Sequence, residues 1–179
     1  MAEHTVIIYA NPRGPQSRAN AALLAAMAAR PGTEIRDLTA LYPEGAIDVR
    51  AEQDALERAD HVVLQYPTYW YSVPGLMKTW LDVVMTPGWV YEPGEPGVLA
   101  RKTLRVATTT GGTTRGYRPG ALHGFDYAQL LTPLQATAGR LGMEFVDPFV
   151  LHGVRDLSDA EIAEAAERYA QSETVVVAS

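Results

Sequence analysis

Five short, largely apolar runs alternate with helix-like stretches along this chain, and that rhythm restricts the fold more than any other feature. The runs are Thr5-Val6-Ile7-Ile8-Tyr9-Ala10, Glu34 to Leu38, His61-Val62-Val63-Leu64-Gln65, Thr103 to Thr108 and Phe145 to Leu151. Helices are expected from about Ser17 to Arg30, from about Arg50 to Ala59, through Leu76, Met77, Trp80, Leu81 and Val84, from Tyr127 to Leu141, and from Ser158 to Thr174. Pro74 suits a first helical turn, where the N–H it lacks has no partner, and Ser158 with Glu161 has capping-box spacing. Strands alternating with helices form a doubly wound parallel sheet, an α/β fold with helices on both faces, because crossovers are right-handed. In the flavodoxin-like order 2-1-3-4-5 the switch point lies between the first and third strands, and their following loops form the ligand crevice.

Composition narrows the function. A chain of 179 residues, 47% of them apolar, fits one domain over residues 1–179 and can build a sizeable core. With no cysteine it has no disulfide, thiolate metal site or catalytic thiol, and no metal centre is expected. A net charge of −6 with no long basic run argues against nucleic-acid binding, which depends on neutralising phosphates. No stretch has the length of a spanning helix, and Met1 to His4 lack the features of a signal peptide, so a cytoplasmic protein is expected. The one piece dense in proline and glycine, Pro87 to Gly97, reads as an excursion after the third helix.

Unusual residues gather in the loops after the first, third and fourth strands. Tyr66-Pro67-Thr68-Tyr69-Trp70-Tyr71-Ser72-Val73-Pro74 places large aromatics at the carboxyl end of a buried strand, where they can cover a planar ligand. The first loop, Asn11-Pro12-Arg13-Gly14-Pro15-Gln16-Ser17-Arg18-Ala19-Asn20, joins a helix start with a hydroxyl and two arginines, a ready phosphate cradle. It matches neither the Walker pattern nor G-x-G-x-x-G. In Thr109-Thr110-Gly111-Gly112 the paired glycines let main-chain amides approach a ligand edge. Tyr117 and His123 follow, either able to donate a hydrogen bond or a proton to a ligand that gains negative charge. A phosphate cradle, a stacking wall and backbone donors around a flat ring describe flavin mononucleotide, FMN, better than any other common cofactor.

The residues also resemble a family, the flavodoxin-like NAD(P)H:quinone oxidoreductases, and within it the small bacterial branch of ancillary oxidoreductases of glutathione-regulated potassium efflux systems. The resemblance runs through Tyr9-Ala10-Asn11-Pro12, Leu41-Tyr42-Pro43, Ala51-Glu52-Gln53, Trp70-Tyr71-Ser72-Val73-Pro74, Lys78, Trp80, Asp82, Gly88-Trp89 and Tyr91. It continues through the Thr-Thr-Gly-Gly loop, Pro133-Leu134-Gln135-Ala136-Thr137-Ala138 and Pro148-Phe149. It implies a homodimer with a flavin, FMN or alternatively FAD, near the subunit boundary, reduced by NAD(P)H and reoxidised by a quinone in two-electron, ping-pong steps. By matching position, flavin contacts would come from Asn11, Ser17, Arg18, Ala19 and Asn20, from Pro67, Thr68, Tyr69, Trp70 and Tyr71, and from Thr109, Thr110, Gly111 and Gly112. Tyr117, also near the flavin, and His123 match residues that stabilise the reduced flavin. Asn11, Arg18 and Tyr69 depart from the family's usual residues, and the tyrosine reshapes the substrate side. The resemblance also leaves room for a redox-sensing subunit held peripherally at the inner face of the cell membrane by a potassium efflux antiporter. A flavodoxin-like electron carrier is a further alternative.

Overall fold

The computed structural model describes residues 3–90 and 97–172. Strands β1 (Thr5–Tyr9), β2 (Thr33–Asp37), β3 (His61–Pro67), β4 (Thr103–Thr109), β5 (Glu144–Phe145) and β6 (Phe149–Leu151) form one parallel sheet. Its order is β2-β1-β3-β4-β5, with β6 also beside β4, the flavodoxin-like order that the family resemblance implies. The helices are α1 (Arg18–Ala28), α2 (Leu38–Leu41), α3 (Val49–Arg58), α4 (Gly75–Val84), α5 (Tyr127–Leu130), α6 (Thr132–Arg140) and α7 (Asp159–Gln171).

Adjacent residues of each central strand feed opposite faces of the sheet. Val6, Ile8, Val62, Leu64, Leu104 and Val106 pack with Leu56, Met77 and Trp80 on one side. Ile7, Tyr9, Val63 and Ala107 meet Leu23 and Met27 of α1 and Ala166 and Tyr169 of α7 on the other. A strand buried on both faces is apolar throughout, which is why these runs are continuous in the sequence.

Several boundaries differ from the sequence reading. The fifth strand splits in two at Pro148, which offers no N–H to the ladder, while the Arg105 Nε donates to the Asp147 carbonyl 3.0 Å away. The helix expected from Tyr127 to Leu141 breaks at Leu131 because Pro133 cannot supply an i→i−4 bond. Pro74 is the residue before α4, at ψ 151°, rather than in its first turn. Leu38 opens the short α2, capped by the Asp37 carboxylate, instead of ending β2. The Ser158–Glu161 capping box starts α7 as its spacing predicts. Residues 91–96 of the Pro87–Gly97 excursion, and Thr174, lie outside the described residues.

One buried cluster fastens the helices on the first side. The Glu52 carboxylate of α3, fully buried, accepts from Trp80 Nε1 of α4 at 2.9 Å, from the Tyr42 hydroxyl at 2.6 Å and from Arg36 of β2 at 2.5 and 3.1 Å. The Tyr42 hydroxyl is pushed up to about 12, first by burial and then by the carboxylate it binds.

Candidate functional site

The crevice opens where β1, β3, β4 and β6 end. Two cavities share the wall formed by Thr68, Trp70, Gly111 and Arg155. The first, about 330 Å³, is completed by Arg13, Ser17, Pro67, Tyr69, Thr109 and Val154. The second, about 360 Å³, is completed by Tyr71, Gly112, Tyr117, Leu122 and His123. Either is large enough for part of a small-molecule ligand.

The loop after β1 builds one end. Asn11 is fully buried and its amide is occupied: Nδ2 donates to the Tyr9 hydroxyl at 2.8 Å and to the Gly14 carbonyl at 3.3 Å, while Oδ1 accepts from the Arg13 amide at 3.1 Å. It shapes the loop rather than facing the cavity. Ser17 occupies the cap position of α1 without a side-chain capping bond; its hydroxyl accepts from Asn20 Nδ2 at 3.4 Å and keeps its own proton to donate into the cavity it lines. The Ser17 carbonyl accepts from Ala21, and the amides of Arg18, Ala19 and Asn20 are the helix donors that lack intrahelical partners. Of the two arginines expected in the cradle, Arg13 lines the cavity. The Arg18 side chain turns to Asp159 at 2.6 Å and to the Leu157 carbonyl, fastening α1 to α7, and only its main chain stays at the crevice. Asn20 is buried, with Nδ2 donating to Thr109 Oγ1 at 2.7 Å and Oδ1 left without a partner; Ala19 is buried beside it.

The aromatic loop is a strained two-residue turn. Tyr69 and Ser72 exchange both backbone hydrogen bonds at 3.0 Å, and between them Trp70 and Tyr71 have φ of 45° and 67°. A turn with both central residues at positive φ ordinarily takes Asn-Gly. Bulky residues there cost on the order of 1–3 kcal/mol each, a cost retained where surrounding structure enforces the conformation. The turn holds Trp70 92% exposed at the shared wall. Beneath it, the Thr68 hydroxyl is shared with Thr108 at 3.0 Å and with Tyr127.

The two glycines after β4 make room for side chains. A Cβ on Gly111 would lie 2.8 Å from Arg155 Nε, and one on Gly112 would lie 2.4 Å from His123 Nε2. Glycine here therefore admits a guanidinium and an imidazole to the floor of the crevice. Tyr117 stacks on His123 with ring centres 4.0 Å apart and planes 18° apart, so the structure brings these two residues together. Burial raises the Tyr117 hydroxyl above its ordinary value, favouring the protonated form. His123 Nδ1 contacts the Tyr71 hydroxyl at 3.4 Å, and Nε2 is buried without a partner.

A fourth loop, after β6, went unread in the sequence. It supplies Val154 and Arg155 to the cavities, and its backbone is tied to the glycine loop by Gly153 N to Gly112 O at 2.9 Å and Val154 N to Thr110 O at 3.1 Å. Behind it, Thr110 Oγ1 donates to the Gly112 carbonyl at 2.7 Å, so His152 Nδ1, at 2.9 Å, donates to Thr110. Burial lowers the His152 pKa. The available signal was positional, since His152-Gly153 follows a strand at the same end of the sheet as the other loops.

The site carries two unpaired buried acceptor or donor atoms, Asn20 Oδ1 and His123 Nε2. Among the described residues, Arg13 and Arg155 form no ion pair with a carboxylate. A flat ligand with an anionic end fits these features: Arg13 and helix amides at one end, Arg155 on the shared wall, aromatic walls and proton donors at the other end. Among the described residues, no group of three or more His, Cys, Asp or Glu side chains could hold a metal ion, and no helix is long and apolar enough to cross a membrane.

A glutathione-regulated potassium-efflux system ancillary protein, KefF, of Klebsiella aerogenes is 44% identical over 167 residues, covering 93% of this chain and 92% of that one. The general stress protein 14 of Treponema denticola, solved in complex with FMN, superposes with a TM-score of 0.87 at 33% identity, covering 93% of this chain and 95% of that one. An NADPH-quinone reductase from P. pentosaceus gives a TM-score of 0.82 at 27% identity, covering 94% and 98% of the two chains. The family model for the flavodoxin-like fold matches residues 3–172, and the chain belongs to that family.

Proposed function

We propose that this protein is a flavin-dependent NAD(P)H:quinone oxidoreductase that binds FMN. The observation that carries the reading is the pair of cavities sharing one wall, one ending at Arg13, Ser17 and the start of α1, the other closed by the Tyr117–His123 stack. Arg13, the Ser17 hydroxyl and the first α1 amides bind the phosphate. Thr68, Tyr69 and Trp70 position the ring, and Asn20 and Thr109 brace the phosphate end against β4. When bound, FMN supplies hydride chemistry, accepting two electrons from NAD(P)H and delivering them to a quinone. Tyr117 and His123 hold hydrogen-bond donors where negative charge develops. The FMN complex of the Treponema denticola protein and the activity given for the P. pentosaceus protein support both cofactor and reaction. A homodimer, with the exposed Trp70 and Leu122 near a subunit boundary, completes the reading.

A second role is favoured by the likeness to KefF, the ancillary protein of a potassium-efflux system. On this reading the same site reports redox state to a membrane antiporter.

The test is an anaerobic NADPH titration of FMN-loaded protein followed by a quinone. Bleaching with recovery on quinone is the expected result, with parallel-line kinetics and, for Tyr117→Phe, a rate of flavin reduction about 10²-fold lower. Loaded protein that stays oxidised with both NADPH and NADH sinks the enzymatic reading and leaves the regulatory one.

A further inference from the structure

We propose that Arg155 is the residue that electrostatically offsets the negative charge left on the cofactor ring by reduction, an inference that rests on the flavin reading above. Two observations place it. Arg155 and Arg13 both line the first cavity, but Arg155 alone also lines the second, so it sits on the wall that a ligand anchored at Arg13 and Ser17 must pass. Its guanidinium rests on the backbone of Gly111, where a Cβ would stand 2.8 Å from Nε, 3.2 Å from Cζ and 3.3 Å from Nη2.

An arginine extended into solvent needs no glycine beneath it. Here the arrangement repeats that of the neighbouring residue, since Gly112 is vacant of a side chain where His123 lies. The paired glycines thus seat two nitrogen-rich side chains next to one another. Arg155 has no carboxylate partner among the described residues, whereas Arg18 is committed to Asp159 and Arg36 to Glu52 and Glu34. The phosphate end already holds Arg13, Ser17 and the α1 amides, so a second cation at the shared wall serves the other end of the ligand.

The charge balance defines the role. Transfer of a hydride oxidises NAD(P)H to NAD(P)⁺ and adds two electrons and one proton to the neutral oxidised ring, which becomes a monoanion without any further proton. Tyr117 and His123 can answer that charge through a hydrogen bond or a proton. A guanidinium answers it as a fixed cation with directional N–H donors that holds its charge throughout the working pH range.

The test compares FMN-loaded wild type with Arg155→Met, Arg155→Lys and Gly111→Ala, reading the midpoint potential of bound FMN and the dissociation constant for sulfite, which adds to oxidised flavin as an anion. Arg155 is exposed, so methionine opens no hole in the core. Arg155→Met is expected to weaken sulfite binding about tenfold and to lower the potential by about 30 mV, the equivalent of tenfold for a two-electron couple. Lysine should restore much of both. Gly111→Ala keeps the arginine but denies it its seat, and should move both readings in the direction of methionine. Unchanged potential and sulfite affinity in Arg155→Met overturn the proposal. Loss of FMN affinity alone would make Arg155 a phosphate clamp, and a change confined to the NADPH-to-NADH preference would make it a nucleotide contact; either also overturns it. Wild type that binds no flavin shows instead that the parent reading has failed, before any variant is compared.

Discussion

Glu52 and His123 both bring polar atoms into the protein's interior, but their surroundings are opposite. The Glu52 carboxylate is saturated by Trp80, Tyr42 and Arg36, drawn from three elements around it. At the crevice, His123 Nε2 and Asn20 Oδ1 are buried with no partner, and two residues of the adjacent turn are held at positive φ. A buried polar group left unpaired costs about 1–3 kcal/mol, and strained residues cost a similar amount. The fold thus satisfies every bond at Glu52 and leaves bonds open at the crevice, where a ligand can make them. One cluster holds the helices together; the other keeps polar atoms unpaired beside the crevice.

The contrast can be broken most severely at the closed cluster. Glu52→Ala strips three donors of their acceptor and should destabilise the protein by about 3–5 kcal/mol, measured by denaturant unfolding. A loss below about 1 kcal/mol would mean that the cluster is not the fastening the geometry describes. At the open site the sign reverses. Replacing Trp70-Tyr71 by Asn-Gly relieves the strained turn and removes a largely exposed indole, so unfolding free energy should rise by about 1–3 kcal/mol while FMN affinity falls. Stability and affinity falling together would show that the turn is not strained for the sake of the ligand.

The smallest effect sharpens the boundary between the two regions. His152 lies behind the crevice, and burial holds its pKa below the ordinary 6.5. The folded state therefore favours the neutral ring. The resulting stability is fully present above the unfolded-state pKa and is lost as pH falls through the lower folded-state value. Denaturant midpoints recorded from about pH 8 down to about pH 5 should decline on the acid side, and His152→Asn should flatten that part of the decline. An unchanged profile in the variant would show that the Thr110–His152 pair carries none of the acid sensitivity.

Much of this architecture was legible because it follows from local periodicity. Val6 to Tyr9, Val62 to Leu64 and Leu104 to Ala107 are buried on both faces of the sheet, and a two-sided strand has to read as a continuous apolar run. The aromatic and glycine loops were legible for a related reason: residues costly to expose or free of a Cβ stand out against a βαβ rhythm. Less legible were the interruptions at Pro148 and Leu131, where one missing N–H breaks an element that hydrophobic pattern alone would continue.

By itself the sequence determined the parallel sheet, its loops at one end and the candidate Tyr117–His123 pair, since each depends on residue types at short spacing. Only the tertiary structure decided which arginines serve the crevice. Arg18, beside the cradle in sequence, is drawn away by Asp159, 141 positions along the chain, while Arg155 arrives from an unmarked loop to lie on Gly111. A long side chain reaches several ångströms beyond its own backbone, so its direction is set by partners that only the folded chain brings near.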